Sequence, residues 1–186
     1  MQKILFVSHC ILNTAAKVVL FNQAAIDAEE ALRMQFLAKA IGEGIQLVQL
    51  PCPEFTLYGS RRWGHCSNQF DNPFFREHCR KCLGPVIQQL REYLAHPERF
   101  QVLGIVGVDG SPSCGVDHTS EADWHGSFGG RTDLEQVLKT QRLVDKSGIF
   151  IQELKSMLAE ACISEQVPVI GLFAPEAEKC MALLEK

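Results

Sequence analysis

FQVLGIVGV, residues 100–108, is an apolar run rich in β-branched residues, of the kind that forms a strand buried inside a parallel sheet. Shorter apolar runs at residues 3–7, 45–50 and 167–173 predict three more strands. Helical periodicity fills much of the chain between these runs. Strands that alternate with helices predict an α/β fold, with residues 1–186 forming a single domain around a roughly four-stranded parallel sheet that helices cover on both faces.

The segments between the strands divide into helices and two long loops. Asp71 or Asn72 can cap a helix that begins at Pro73, and Gly84-Pro85 is expected to break or kink it. Loops of more than about twelve residues in a compact domain are usually functional. Helices are predicted at residues 24–41, 73–94, 148–162 and 175–184, with a short one after residue 132, and surface loops at residues 55–72 and 109–131.

The composition favours a small-molecule partner. The net charge is −4, and no basic run suggests a nucleic-acid surface. No apolar stretch reaches the roughly 18–20 residues that cross a bilayer, and the first residues do not have the pattern of a signal peptide. We therefore expect a cytoplasmic protein without a nucleic-acid or membrane partner, and its oligomeric state is left open.

The chain has eight cysteines, which is a high number. A chain of this length buries enough of a core to fold without disulfides, so these cysteines do not indicate a disulfide framework. In a reducing cytosol, abundant cysteine points to metal binding or catalysis. Cys10, Cys52 and Cys114 each follow the end of a predicted strand, and the carboxyl ends of neighbouring parallel strands share one edge of the sheet. We interpret the three cysteines as ligands of a metal ion or an iron–sulfur cluster at this edge. The alternative is that they are three small residues of the core.

The remaining cysteines have simpler explanations. Cys79 and Cys82 have a Cys-x-x-Cys spacing, but they lie on the apolar stripe of a predicted helix, which favours core packing over zinc binding. Cys162 and Cys180 also lie on apolar helix faces and are expected in the core. Cys66 lies in a predicted loop, where an exposed thiol is expected.

Three short motifs carry a resemblance to a known family. Ser111-Pro112-Ser113-Cys114-Gly115, Val7-Ser8-His9-Cys10 and Cys52-Pro53-Glu54 together resemble the 2-thiouracil desulfidase family, in order and spacing over most of the chain. The resemblance implies a Rossmann-like three-layer sandwich. It also implies a [4Fe–4S] cluster held by the three cysteines of these motifs, with the fourth iron left free for the sulfur of the substrate.

The chain resembles a divergent member of that family. Asn13 stands where the family usually has a glycine, and Val108 stands where it commonly has a lysine. The Gly-Gly pair that usually follows Cys-Pro-Glu is missing, and Arg61 and Arg62 stand nearby. Because of these differences, the resemblance implies a class of substrate and not one compound. That class is thiocarbonyl-containing small molecules, such as a thiolated nucleobase.

Removal of sulfur from a thiocarbonyl carbon requires proton transfers, and therefore a general acid–base group. Glu54, two residues after Cys52, is the candidate for that role, and Ser111 and Ser113 can orient water or substrate by hydrogen bonds. The alternatives are a solvated loop carboxylate or a local cap for Glu54, and ordinary turn chemistry for the serines. Trp63 and other aromatic residues in the two long loops can stack on a flat substrate or anchor their own loops.

Together these features predict an iron–sulfur-dependent desulfidase. The alternative is a protein without catalytic activity that binds an iron–sulfur cluster or zinc and serves as a redox sensor or a sulfur carrier. A pocket that faces the open iron together with Glu54 favours the enzyme, whereas a closed site with a fourth protein ligand favours the sensor or carrier.

Overall fold

A four-stranded parallel sheet forms the centre of the computed structural model, which describes residues 1–185. The order of its strands is β2-β1-β3-β6, and β4 pairs with β5 in a small antiparallel sheet. The strands are β1 (Gln2–Val7), β2 (Gln46–Gln49), β3 (Phe100–Val108), β4 (Thr119–Glu121), β5 (Arg142–Val144) and β6 (Val169–Leu172). The helices are α1 (His9–Leu12), α2 (Gln23–Gly42), α3 (Pro53–Tyr58), α4 (Ser67–Phe70), α5 (Pro73–Leu94), α6 (Leu134–Leu138), α7 (Ile149–Glu160) and α8 (Ala177–Leu183).

The strands send alternate side chains to opposite faces of the sheet, and helices cover both faces. In β1, Phe6 packs with residues of α5 and α7 on one face. Its neighbours Leu5 and Val7 pack with residues of α2 and α8 on the other face. The predicted α/β fold, a three-layer sandwich around a four-stranded parallel sheet, is thereby confirmed.

The order of the strands creates a crevice at their carboxyl ends. From β1 the chain continues through α2 to β2 on one side, and from β3 it continues through α7 to β6 on the other side. The connections that leave β1 and β3 therefore diverge. In open α/β sheets, ligands bind at the point where adjacent connections diverge in this way.

Two long helices begin at asparagine caps, α2 at Asn22 and α5 at Asn72, and the cap of α5 is one of the two that the sequence predicts. The Asn72 side chain accepts a hydrogen bond from the Phe75 N–H at 3.0 Å, and Pro73 occupies the first helical position. The predicted break is wrong, because α5 continues through Gly84 and Pro85 as far as Leu94.

Within residues 1–185, no helix is both long enough and apolar enough to cross a membrane.

Both predicted loops contain regular structure. The segment 55–72 includes most of α3 and all of α4, and the segment 109–131 includes β4. The helix α3 begins one residue after Cys52, because Pro53 suits the first helical position. The site at the carboxyl edge of the sheet is therefore built largely on short helices rather than on irregular loop.

Candidate functional site

The structure places the three candidate cysteines after three adjacent strands. Cys10 lies in α1, directly after β1, and Cys52 follows β2 as the residue that caps α3. Cys114 lies in the tight turn after β3. Because β1 is flanked by β2 and β3, the three residues share the carboxyl edge of the sheet, and the site is centred on β1.

The three thiols are close enough to affect one another electrostatically. Burial raises the pKa of Cys114 well above its usual range, and the charges of Cys10 and Cys52 raise it further. Burial likewise raises the pKa of Cys10 to about 12, opposed by the positive charge of Lys17. These thiols are protonated near neutral pH, so a bound cluster would have to displace their protons.

Three thiols, the kind of ligand that both zinc and iron–sulfur clusters take, lie at this edge of the sheet. Among residues 1–185, no three His, Cys, Asp or Glu side chains are arranged to hold one metal ion. Thiolates on a single zinc lie about 4 Å apart, because each Zn–S bond is about 2.3 Å long. Thiolates that bind different irons of one cluster lie farther apart. The three thiols are thus not arranged as a single-ion site.

Cys52 serves the fold as well as the candidate site. Its Sγ accepts a hydrogen bond from the Phe55 N–H at 3.4 Å, the interaction that a serine or aspartate usually provides at the start of a helix. Burial raises the pKa of Cys52, and this N–H opposes the rise because it stabilises the thiolate. The same cap positions Glu54 in the first turn of α3.

Glu54 is a buried carboxylate with two partners. The Ser113 hydroxyl donates a hydrogen bond of 2.6 Å to Glu54 Oε1, and Arg62 Nε donates to Oε2 at 3.2 Å. Only 8% of Glu54 is exposed. The interpretation of Glu54 as a solvated loop carboxylate is therefore wrong. Its carboxylate connects the segment after β2 with the turn after β3.

The Arg62 side chain is buried beside Glu54 and is not solvated. Its guanidinium also donates to the carbonyls of Gly59 at 3.1 Å and Ala16 at 2.7 Å, and only 3% of its side chain is exposed. The sequence shows Arg61 and Arg62 near Cys52 but indicates no partner for either. In the structure Arg62 compensates the buried charge of Glu54, which would otherwise be strongly unfavourable.

The two serines of the Ser-Pro-Ser-Cys-Gly motif have different environments. Ser111 Oγ accepts hydrogen bonds from the N–H groups of Cys114 at 3.0 Å and Ser113 at 3.4 Å, and it thereby shapes the turn. Ser113 is buried, and its Oγ lies 3.5 Å from Cys114 Sγ as well as within hydrogen-bond distance of Glu54. Ser113 therefore links the carboxylate to a cysteine of the candidate cluster site.

The start of α7 holds the motif in place. The Ile149 N–H donates to the Pro112 carbonyl at 3.1 Å, and the Ile151 N–H donates to the Ser113 carbonyl at 3.2 Å. The contact requires glycine at position 148, because a Cβ there would lie 2.6 Å from the Ser113 carbonyl. The turn that carries Cys114 is thus attached to a long helix and is not a free loop.

Two charged residues near Cys10 were missed by sequence analysis. Lys17 forms an ion pair with Glu29 of α2, and both charges influence the pKa of Cys10. Neither residue lies in a motif, and residues 9–22 show no regular pattern. Only the folding of α2 beside the end of β1 brings these charges to the cysteine.

The aromatic residues of the two predicted loops form a separate group. Trp63 and Phe128 lie with their ring centres 5.6 Å apart and, together with Trp124 and Arg131, line a cavity of about 180 Å³. Arg131 is already bonded to Asp133. The structure shows these two loops in contact with each other through the two rings.

The burial of two of the remaining cysteines differs from what the sequence predicts. Cys79 is fully buried in the core, as predicted, and so is Cys180. Cys66 is buried and not exposed, whereas Cys162 is exposed and not in the core. Cys162 follows the end of α7 with a φ of 58°, which ends the helical pattern before this residue.

The comparisons with known proteins leave the chemistry open. Over 115 residues, the chain is 29% identical to an uncharacterized protein of Methanocaldococcus jannaschii, and the similarity covers 62% of this chain and 69% of that protein. No protein-family model matches the chain. No solved structure matches it. The name of the archaeal relative gives no activity.

Proposed function

We propose that this protein is a desulfidase that binds one [4Fe–4S] cluster through Cys10, Cys52 and Cys114 and removes sulfur from a thiocarbonyl-containing small molecule. The observation that supports this proposal best is the hydrogen bond between Ser113 and Glu54 beside the three cysteines. A site that served only to hold a cluster would not need a buried carboxylate bonded to a hydroxyl next to a ligand.

Such a cluster would supply one iron without a protein ligand, which can act as a Lewis acid toward the sulfur of the substrate. The protein has to supply the proton transfers. Glu54 is fixed by hydrogen bonds to both of its oxygens, so it can take a proton from Ser113 or from a water molecule that replaces the Ser113 hydroxyl. Glu54 and Ser113 lie beside Cys114, which supports the proposal that these proton transfers would occur next to a cluster bound there.

Arg62 and Ser111 act through other residues in this proposal. Arg62 keeps the Glu54 carboxylate in one orientation and compensates its charge. Ser111 accepts two backbone N–H groups of the turn, which leaves its own proton free to donate to Ser113 Oγ at 3.4 Å or to a ligand. A hydroxyl with a free proton next to a buried base is suited to orient a water molecule.

The proposal includes a cytoplasmic location and a small thio-compound as the partner. All eight cysteines are free thiols, which suits a reducing compartment. A thiolated nucleobase such as 2-thiouracil is the first compound to test.

The test is turnover by the cluster-loaded protein. Protein reconstituted with iron and sulfide under anaerobic conditions is incubated with 2-thiouracil and with simple thioamides, and the released sulfide is measured. Release of sulfide together with the matching oxo product supports the proposal. A stable cluster with no turnover of any thio-compound would instead support the alternative, a redox sensor or sulfur carrier.

A further inference from the structure

The cavity beside Trp63 and Phe128 is large enough for one ring. Its volume is about 180 Å³, and a cavity of about 150 Å³ engineered into another protein binds benzene. It lies between the segment 55–72 on one side and the segment 109–131 with the following α6 on the other. In size the cavity is therefore suited to a molecule built on a single six-membered ring.

Aromatic side chains line the cavity on both sides. Trp63 and Trp124, the two tryptophans of the chain, are both among its lining residues, and so are Phe128, His65 and His125. Aromatic rings attract one another in offset-stacked and edge-to-face arrangements, beyond the effect of the area that they bury. A flat ring in the cavity would be in contact with aromatic side chains from both segments.

Contacts elsewhere in the fold hold parts of this wall in place. The indole N–H of Trp124 donates a hydrogen bond of 3.0 Å to the carbonyl of Val137. The His65 ring stacks on Tyr58 and on Phe70, with ring centres 5.1 Å and 4.9 Å apart. A site that is formed before its ligand arrives loses less conformational freedom on binding, so these contacts favour affinity.

The rings of Trp63 and Phe128 can be reached from the solvent. Trp63 is 74% exposed and Phe128 is 53% exposed. A ring that served only to anchor its loop would be buried, so anchoring does not account for Trp63. A ligand that covers these two rings removes apolar surface from water, which is favourable.

The charges at the cavity favour an uncharged ligand. Of the residues that line it in the described part of the chain, Arg131 alone carries a permanent charge. Its Nε donates to Asp133 Oδ1 at 2.7 Å, and its Nη1 donates to the carbonyl of His125 at 2.7 Å. Burial lowers the pKa of His65, so this ring is uncharged near neutral pH. A charged ligand would lose hydration without gaining an unpaired opposite charge.

We propose that this cavity binds an uncharged, planar molecule with a single aromatic or heteroaromatic ring, through contacts with Trp63, Trp124 and Phe128. The inference goes beyond the proposed function and does not require a cluster.

Phenol and cyclohexanol test the proposal directly, because they are similar in size and carry the same hydroxyl group, but only phenol is planar. Both are titrated into the iron-free, ¹⁵N-labelled chain of 186 residues, and NMR follows the indole N–H signals of Trp63 and Trp124. Phenol should shift both signals to saturation with a Kd below about 5 mM, and cyclohexanol should bind at least about threefold more weakly. Weaker binding of phenol than this, or a smaller difference between the two compounds, overturns the proposal.

Benzoate tests the preference for an uncharged ring. Because Arg131 is already paired, benzoate at pH 7.5 should bind at least about threefold more weakly than phenol. Equal or tighter binding of benzoate would show that Arg131 is free to receive an anion, and it would overturn the proposed ligand class.

Two variants locate the site. Trp63→Leu and Phe128→Leu each replace a ring by an apolar side chain, so phenol affinity, followed by the Trp124 signal, should fall by between about threefold and tenfold. Phe74→Leu is the control, since Phe74 is an 82% exposed ring of α5 that does not line the cavity. It should leave phenol affinity unchanged. With folding checked by thermal unfolding, wild-type affinity in either cavity variant, or loss of affinity in Phe74→Leu, overturns the proposal.

The outcome is independent of the desulfidase proposal, because phenol contains no sulfur and the protein is tested without iron. Binding of phenol in the cavity of a protein that never assembles a cluster supports the cavity while the desulfidase proposal fails. Release of sulfide by a cluster-loaded protein whose iron-free form does not bind phenol supports the desulfidase and overturns the cavity.

Discussion

The Ser113 hydroxyl lies 2.6 Å from Glu54 Oε1, although 59 residues separate the two along the chain. This hydrogen bond joins α3, which follows β2, to the turn that follows β3. The two residues are therefore positioned by different strands of the sheet and meet only because those strands flank β1. A hydrogen-bonded pair built in this way depends on the fold and not on a local motif.

Glu54→Gln should keep the hydrogen bond to Ser113 and remove the base. A general acid–base group typically contributes about 100- to 10,000-fold to a rate, so sulfide release should fall by that factor while the iron content stays unchanged. Both quantities are measured on the same sample. Glu153→Gln is the matched control, because Glu153 is another buried carboxylate paired with arginines, Arg76 and Arg80, in a different part of the fold. Full activity in Glu54→Gln would assign the proton transfers to another residue.

Arg62→Gln should destabilise the protein because it leaves the buried Glu54 carboxylate without its cation. Breaking such a buried pair typically lowers the free energy of unfolding by about 3–5 kcal/mol. The double variant Arg62→Gln with Glu54→Gln should recover at least half of this loss, since no uncompensated charge remains. Urea unfolding of the four proteins measures the coupling. Arg61→Gln, at the exposed neighbouring position, should change stability by less than about 0.5 kcal/mol.

Gly148→Ala should disturb the turn that carries Cys114. The added methyl group would lie 2.6 Å from the backbone of Ser113, and overpacking of this kind typically destabilises by about 1–3 kcal/mol. Gly84→Ala is the matched comparison. Position 84 lies inside α5 and has no atom within 4 Å of the added Cβ, so the same change there should stabilise by about 0.5–1 kcal/mol. Equal effects at both positions, measured by urea unfolding, would contradict the packing described around Ser113.

The free energy of unfolding should fall as the pH rises above about 9, in part because of Cys79. Burial raises the pKa of this thiol, so the native state keeps a proton that the unfolded chain loses above its ordinary pKa of about 8.5. Stability from such a group is fully present below the unfolded pKa and is lost above it, by at most about 1.4 kcal/mol per pH unit. Urea unfolding at about pH 7.5 and pH 10 should therefore show a smaller decrease for Cys79→Ala than for the wild type.

Cys162→Ala serves as the control for that experiment, since Cys162 is exposed. It should show the same decrease with pH as the wild type. A Cys79→Ala variant whose stability falls as steeply as that of the wild type would show that burial of this thiol does not contribute to the pH dependence.

The sheet was predictable because a strand buried on both faces is recorded in the sequence as a continuous apolar run. Residues 100–108 correspond to β3 without any shift of its ends. The placement of Cys10, Cys52 and Cys114 at one edge followed from the strands, since the ends of adjacent parallel strands have to lie side by side. The helix α3 was missed because a cysteine rarely caps a helix, although Pro53 marked its first position.

Contacts between distant segments were not predictable from one sequence. Nothing near Arg62 indicates that its charge is buried against Glu54 and not solvated, because that contact depends on how the chain returns after α3. The same holds for Asp109, whose three backbone partners come from the following loop, and for Gly171, which accommodates its carboxylate from another strand. Burial of Cys66 and exposure of Cys162 likewise depend on packing and not on local pattern.

The central claim, that Cys10, Cys52 and Cys114 together bind one cluster, is tested most directly by the iron content of single-cysteine variants. Wild type, the three variants Cys10→Ala, Cys52→Ala and Cys114→Ala, and the control Cys79→Ala are reconstituted anaerobically and analysed for iron, sulfide and protein. We predict about four irons and four sulfides per chain in the wild type and in Cys79→Ala, and loss of the cluster in each of the other three. Wild-type iron content in any of those three, or loss of iron only in Cys79→Ala, would contradict the account.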